Sequence, residues 1–178
     1  MGGGKPRRDL AGSTLLARAA EQACAWTDCA AIAIRDPAQA AGTGLPLIVD
    51  DPGIAGPLGG LVAGLRFATD RGRDALLTLP ADMPFLPDDL GARLALEIGG
   101  HGAAIAASSG HAHPVCALWR CSVIDLLPAY LATGRRSLMG LAELAGHCLV
   151  EWPGGPGDPF FNINSPDDLA KAERRLRL

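Results

Sequence analysis

The sequence predicts a three-layer α/β domain with a mostly parallel central sheet, on three observations. Short unbroken runs of Ala, Val, Ile and Leu recur along the chain: AAIAI at 30–34, LIVDD at 47–51, ALLTLPAD at 75–82, AAIAAS at 103–108 and PVCALW at 114–119. Runs without polar alternation suit strands buried on both faces. Longer segments with helix-start signals separate most of them, and such alternation is the pattern of a sheet covered by helices on both sides. The chain has 178 residues, which fits one domain spanning 1–178. A chain of that size can bury about 70% of the surface its unfolded form exposes.

The elements follow in order. MGGGKPRRDL opens the chain as a glycine-rich loop carrying Lys5, with no strand before it. Segment 13–26, STLLARAAEQACAW, reads as a helix with Ser13 as its cap candidate. AAIAI and LIVDD are strands, the second ending on Asp50 and Asp51. PLGGLVAGLRFATD at 57–70 and PDDLGARLALEIG at 87–99 each begin with the proline that suits a first helical turn. ALLTLPAD ends near Asp82, because Pro84 cannot continue a central strand. His113 precedes Pro114, which pushes it to an extended conformation at the start of PVCALW. Arg135 and Arg136 follow Gly134 and precede a helix in GRRSLMGLAE, and EWPGGPGDP is a surface loop. The last helix carries Ser165 as cap, Pro166 at its first position, acids in the first turn and arginines in the last.

Composition excludes several classes of function. Sixteen basic residues stand against 19 acidic, net -3, without the clustered positive excess of a nucleic-acid binder. No apolar run reaches the ~18 residues of a membrane span, and no apolar signal-peptide core follows the basic N-terminus. Five cysteines without an export signal read as free thiols in a reducing cytoplasm. The repeated C-x4-C spacing of Cys24, Cys29, Cys116 and Cys121 invites zinc, but Cys24 falls in a helix and Cys116 in an apolar run.

In an α/β fold of this kind, ligands sit at the carboxyl ends of the strands. Asp82 lies at such an end and can hold Mg2+, which prefers oxygen ligands shared with substrate phosphates. Its plain alternative is a turn cap. Gly56, Gly59 and Gly60 surround Pro57 at a helix start, where free N–H groups and close backbone approach suit a nucleotide. Asn162 and Asn164, two apart in FFNINSPDDL, face the same way in an extended segment and could hold phosphate oxygens or a polar heterocycle. Turn and cap asparagines are the alternative there. Arg135 and Arg136 can grip a phosphate through paired hydrogen bonds, or can be a solvated pair at a helix start.

Together MGGGK, DDPGIAGPLGG, ADMPFLPDDL, HPVCALW, GRRSLMGLAELAGH and FFNINSPDDL resemble, in order and wording, the molybdenum cofactor guanylyltransferase family, MobA, of the nucleotidyltransferase group. That family looks like LAGGxSxRMGxxK, an Asp followed by GPLxG, DxPxxP, HP with an apolar run, Gly-Arg-Arg, and FxNxNTPxDL. The resemblance covers nearly the whole chain and implies a Rossmann-like nucleotidyltransferase fold. It implies GMP transfer from GTP to the molybdenum–molybdopterin cofactor, giving the guanine dinucleotide form and pyrophosphate. By the same resemblance Lys5 faces the triphosphate and Asp82 holds Mg2+. Asp51 or Asp50 contacts the guanosine. Asn162 and Asn164 lie near the pterin and reacting phosphate, and Arg135, Arg136 and His113 serve the pterin side. GTP and molybdopterin are the small-molecule partners, with transient contacts to cofactor-donating or cofactor-receiving proteins, in the cytoplasm, and with no nucleic acid or membrane.

Three features depart from the family. AAIAIRDPAQ carries Ile34, Arg35 and Asp36 where the family often has an Asn near the guanine. The helix cap is Ser-Pro where the family has Thr-Pro. Met1 aligns with the internal Met of the family's loop, so the first strand, of about 5–6 residues, and the loop's front half are expected to be missing, through a shifted gene start or a truncated chain. A chain lacking them is expected to be less stable and weakly active or inactive. Two further readings stay open: a related cytidylyltransferase using CTP, which the Asn-x-Asn pair argues against, and a noncatalytic nucleotide- or cofactor-binding relic of the fold.

Overall fold

The computed structural model describes residues 8–36 and 43–177. Two short strands, β1 (Asp9–Leu10) and β2 (Ser13–Thr14), pair antiparallel. Ala11 and Gly12 between them have φ of 55° and 86°, the left-handed pair that a two-residue hairpin turn requires. α1 (Leu15–Trp26) starts at once, and Thr14 caps it by accepting from the Ala17 N–H at 3.1 Å. Ser13, the expected cap, is instead paired with Leu10 in β2.

β3 (Ile32–Ile34) and β4 (Leu47–Val49) pair in parallel as a separate two-stranded sheet. β5 (Ala75–Thr78), β6 (Ala103–Ser108), β7 (His111–Arg120) and β8 (His147–Trp152) form a second sheet, ordered β5-β7-β6-β8. Three of its strands share a direction and β7 runs against them, so the sheet is mixed. The local cause is a tight turn: Ser109 and Gly110, with φ of 51° and 76°, link β6 to β7, and two residues can only join antiparallel neighbours. PVCALW lies within β7. Pairing jumps from Ile105↔Ala117 to Ala106↔His113, so residues 114–116 bulge and Pro114 sits where no ladder bond is asked of it. β8 has no unbroken apolar run. Leu149 and Glu151 are exposed while Val150 and Trp152 are buried, the alternation of a half-covered strand at the sheet's edge.

α2 (Pro57–Asp70), a 3-10 turn (Cys121–Leu126), α4 (Leu127–Ala132) and α5 (Leu138–Ala145) cover one face. Leu58, Leu61, Val62 and Leu65 of α2 pack there on Ala103, Ile105, Ala117 and Trp119. α3 (Leu90–Glu97) covers the other, where Leu90 and Leu94 meet Ala104, Ala106, Cys116 and Val150. All six residues of β6 are buried, as its unbroken apolar run predicts. Gly59 is needed for packing: a Cβ there would stand 2.7 Å from the Ile54 carbonyl oxygen.

α6 (Pro166–Arg175) ends the fold as its sequence dictates. Ser165 accepts from the Asp168 N–H, and the Asp168 carboxylate accepts from the Ser165 N–H at 3.0 Å, a reciprocal cap. Both exchanges hold the start of α6 against the segment carrying the asparagines. Ser165→Ala is expected to cost about 1 kcal/mol, read as a shifted urea midpoint with unchanged slope.

Candidate functional site

β5, β6 and β8 present their carboxyl ends at one edge of the sheet, and β7 begins there. Asp82 stands just past β5, Ser108 closes β6, His113 lies near the start of β7, and residues 153–165 leave β8 at the same edge. This returning segment joins the elements. Its Asp158 carboxylate meets Ser108, and five residues on the Ile163 N–H donates to the Asp82 carbonyl oxygen at 2.9 Å. The segment therefore crosses from β6 to β5 along the edge. It brings two residues 80 positions apart in sequence, Asp82 and Asn162, to neighbouring places.

The side chains alternate as the spacing requires. Ile163 is fully buried with Leu10, Leu15 and Ala172, so the flanking Asn162 and Asn164 project the other way. The Asn162 Oδ1 is buried and has no hydrogen-bond partner among the described residues. A buried amide oxygen left unpaired costs about 1–3 kcal/mol, and one placed beside a carboxylate-bearing turn offers a donor set of hard oxygens. Asp82 also acts downward: burial first, then the Asp82 charge, pushes the Cys116 thiol up to about 12. Cys116 is thus an inert core thiol in contact with the Met83 sulfur at 3.6 Å.

His113 sits in a polar cluster that its sequence neighbours do not announce. Its Nε2 lies 2.8 Å from the Ser108 Oγ, and that hydroxyl lies 2.9 and 3.1 Å from the two Asp158 oxygens. Ser108 has one proton and a carboxylate only accepts, so Ser108 donates to Asp158 and accepts from the His113 Nε2–H. That leaves Nδ1 as the acceptor of the neutral ring. The ring stacks on Phe160 with centroids 4.6 Å apart, and the Asp158 Oδ1 accepts the Phe160 N–H at 2.8 Å. Ser108, Asp158 and Phe160 surround His113 and are not singled out by the sequence. The only signal was a serine ending an otherwise apolar run.

Burial lowers the His113 pKa below its ordinary 6.5; Asp158 pulls it back up, His111 lowers it further and Glu151 raises it. The unfolded chain therefore takes up this proton before the folded one. Stability from this group is full above pH 6.5 and is lost as pH falls below that value toward the lower folded pKa. Melting temperature is expected to drop as pH falls below 6.5, and to drop less in His113→Phe, which keeps the stacking on Phe160 without the titration.

Asp50 and Asp51 separate clearly. Asp51 accepts from the Arg66 guanidinium at 2.8 Å and the Gly53 N–H at 3.0 Å, and these hold its carboxyl below the usual range. It is occupied in a turn. The Asp50 carboxylate takes no hydrogen bond among the described residues and lies against the start of α2, where a Cβ on Gly60 would come within 3.2 Å of its Oδ1. Arg135 pairs with Glu143 at 2.7 Å and leans over the Tyr130 ring. Arg136 donates to the carbonyls of Leu131 and Arg135. No hydrogen bond or ion pair joins either arginine to Asp82, His113 or the asparagines among the described residues. Lys5 lies outside the described residues.

Residues 1–148 match the MobA-like NTP transferase domain. A molybdenum cofactor guanylyltransferase of Rhodopseudomonas palustris (strain BisB5) is 47% identical over 182 residues, covering 98% of this chain and 87% of the relative. Another, from Rhodobacter capsulatus, is 39% identical over 179 residues, covering 99% and 90%. Among solved structures, molybdopterin-guanine dinucleotide biosynthesis protein A from Archaeoglobus fulgidus superposes with a TM-score of 0.71 at 24% identity, over 97% of this chain and 90% of that one. CMP:2-keto-3-deoxy-manno-octonic acid synthetase in complex with CTP gives 0.75 at 13% identity, over 98% and 92%. At such identities these two structures speak to the fold, which is the nucleotidyltransferase-like α/β fold expected from sequence. By the match over most of its length and by relatives of this similarity, the chain belongs to the MobA-like NTP transferase family.

Proposed function

We propose that the protein transfers GMP from GTP to the molybdenum–molybdopterin cofactor. The observation that carries this reading is the junction of Asp82 with the Asn-x-Asn segment, made by the Ile163 N–H and the Asp82 carbonyl oxygen. It gathers a carboxylate, a buried unpaired amide oxygen and an exposed amide at the carboxyl edge of the sheet. The names of the relatives supply the substrates.

An oxygen of the cofactor's terminal phosphate attacks the α-phosphorus of GTP. The bond from that phosphorus to the bridging oxygen breaks, and pyrophosphate leaves with the electron pair. The protein has little covalent work to do; it positions the two phosphates and neutralises charge. Asp82 and the Asn162 Oδ1 suit a Mg2+ ion, which when bound polarises phosphate oxygens and offsets their charge. Asp50 is the better placed of the two acids to accept from the guanosine, because Asp51 is engaged by Arg66 and Gly53. Lys5 is assigned to the triphosphate by the family resemblance alone. Asn164 and the Nδ1 of His113 serve the pterin side. Arg135 and Arg136, whose contacts with Glu143 and with backbone carbonyls are exposed, serve the pterin side. Transient exchange with donor and recipient proteins, in the cytoplasm, belongs to the same proposal.

Competition tests the reading. With molybdopterin and Mg2+ present, pyrophosphate release is expected from GTP, and CTP is expected not to replace it. A clear CTP preference, or nucleotide binding with no release at any enzyme concentration, overturns the assignment.

A further inference from the structure

The surroundings of His113 are set by strand register and by the return segment. Across the β6–β7 pairing His113 stands opposite Ala106, and Ser108 lies two residues further along β6. Their side chains are therefore diagonal neighbours on one face of the sheet. It is the face on which Ala106 packs with Met83, Trp152 and Phe160. Asp158 reaches the pair from the return segment, whose backbone is pinned around it. The Asp158 N–H donates to the Gly155 carbonyl at 3.0 Å, and Arg175 of α6 donates to the carbonyls of Gly157 and Asp158 at 2.9 and 2.8 Å. The Asp158 Oδ1 accepts the Phe160 N–H, and its Oδ2 turns to Ser108 at 2.9 Å.

These bonds form a chain with one direction. A carboxylate has no proton to give, so the Ser108 proton points to Asp158 and a Ser108 lone pair points to the His113 Nε2. Ser108 is itself buried, 1% exposed. Without this chain the two tautomers of a neutral imidazole are interchangeable; with it, the ring proton stays on Nε2 and Nδ1 is a lone pair. His113 is half-buried, and its Nδ1 takes no hydrogen bond among the described residues. The other titratable groups beside the ring are His111 and Glu151, and both are engaged elsewhere. The His111 Nδ1 lies 3.0 Å from the Ser109 carbonyl oxygen, and Glu151 accepts the Gly110 N–H at 3.4 Å. Phe160 covers one face of the His113 ring, so polar recognition by this ring comes from its Nδ1 edge.

The geometry points to Asp158 as a positioning residue: acting through Ser108, it fixes the tautomer of His113 and makes Nδ1 a hydrogen-bond acceptor that selects an N–H donor on the substrate. This rests on the placement of His113 on the pterin side. The pyrimidine edge of a pterin carries an amino group and a ring N–H, both donors, and so matches a lone pair. A carbonyl or phosphate oxygen brought to the same atom meets a second lone pair and is refused. Asp158 touches no substrate in this arrangement; it decides the sign of the hydrogen bond that His113 makes.

Asp158→Asn reverses the chain. The new amide keeps its oxygen on the Phe160 N–H, which sets its NH2 group against Ser108. The hydroxyl then accepts from the amide and donates to the His113 Nε2, and the ring proton moves to Nδ1. Nitrogen NMR at about pH 8, where the ring is neutral, is expected to find the proton on Nε2 in wild type and on Nδ1 in Asp158→Asn. The dissociation constant for molybdopterin is expected to rise about tenfold or more, the loss from leaving a polar group without its partner, with that for GTP unchanged. Ser108→Ala, which cuts the chain, is expected to mix the tautomers and to weaken molybdopterin binding less. His113→Ala tests the placement separately: unchanged molybdopterin binding there removes His113 from the pterin side, and the inference falls with it. Weakened binding in His113→Ala, together with wild-type binding in an Asp158→Asn protein whose tautomer has reversed, overturns the role of Asp158 and leaves the placement standing. A wild-type ring protonated on Nδ1 overturns that role without any variant, as does an equal loss of GTP and molybdopterin binding in Asp158→Asn.

Discussion

Asp82→Asn is expected to lower GMP transfer by about 10³-fold, the loss typical of removing one charged group aimed at a phosphoryl transition state. The fold should survive. The bond that fixes this turn to the asparagine segment uses the Asp82 backbone carbonyl, not its side chain, and Asn is nearly isosteric. The effect should fall on chemistry and on Mg2+ dependence together. Wild type is expected to bind GTP more tightly as Mg2+ is raised, and the variant to be indifferent to it, which titration calorimetry reads even where turnover is slow. Retained Mg2+ dependence in the variant would remove Asp82 from the site.

Ile163→Ala is expected to cost about 2–5 kcal/mol, the range for emptying a fully buried aliphatic site. Ile163 is 0% exposed and lies between Leu10, Leu15 and Ala172. For a chain of this size that is a fall in melting temperature of about 4–20 °C. The residue touches no proposed substrate, yet it is the anchor that turns Asn162 and Asn164 outward and holds its own N–H on Asp82. Transfer activity at a temperature where both proteins are folded should therefore drop as well. Conservative Ile163→Val, which keeps the anchor and costs about 0.5–1.5 kcal/mol, should restore most of it. An alanine variant with wild-type activity would show that the segment is positioned by something else.

Local signals read well where a single element decided the outcome. The buried run of β6, the proline start of α2 and the reciprocal Ser165–Asp168 cap of α6 each depend on residues within a few positions. Two features of the sheet were not legible locally. β8 alternates, and the alternation is meaningful only once the sheet supplies a covered and an open side. β7 reverses direction in an otherwise parallel set, and that reversal is encoded in two turn residues, Ser109 and Gly110, and not in the apolar run. The Asp50–Asp51 ambiguity had a different cause. Adjacent acids are equivalent in sequence, and only the approach of Arg66, fifteen residues away, commits one of them.

By itself, then, the sequence determined the α/β class and the family and named candidate residues for the site, because hydrophobic period, caps and motif order are properties of contiguous chain. Tertiary structure alone decided which of these residues meet. The Asp158–Ser108–His113 cluster spans 50 positions, and Asp82 with Ile163 spans more. Such contacts depend on the path of the return segment over the sheet's edge.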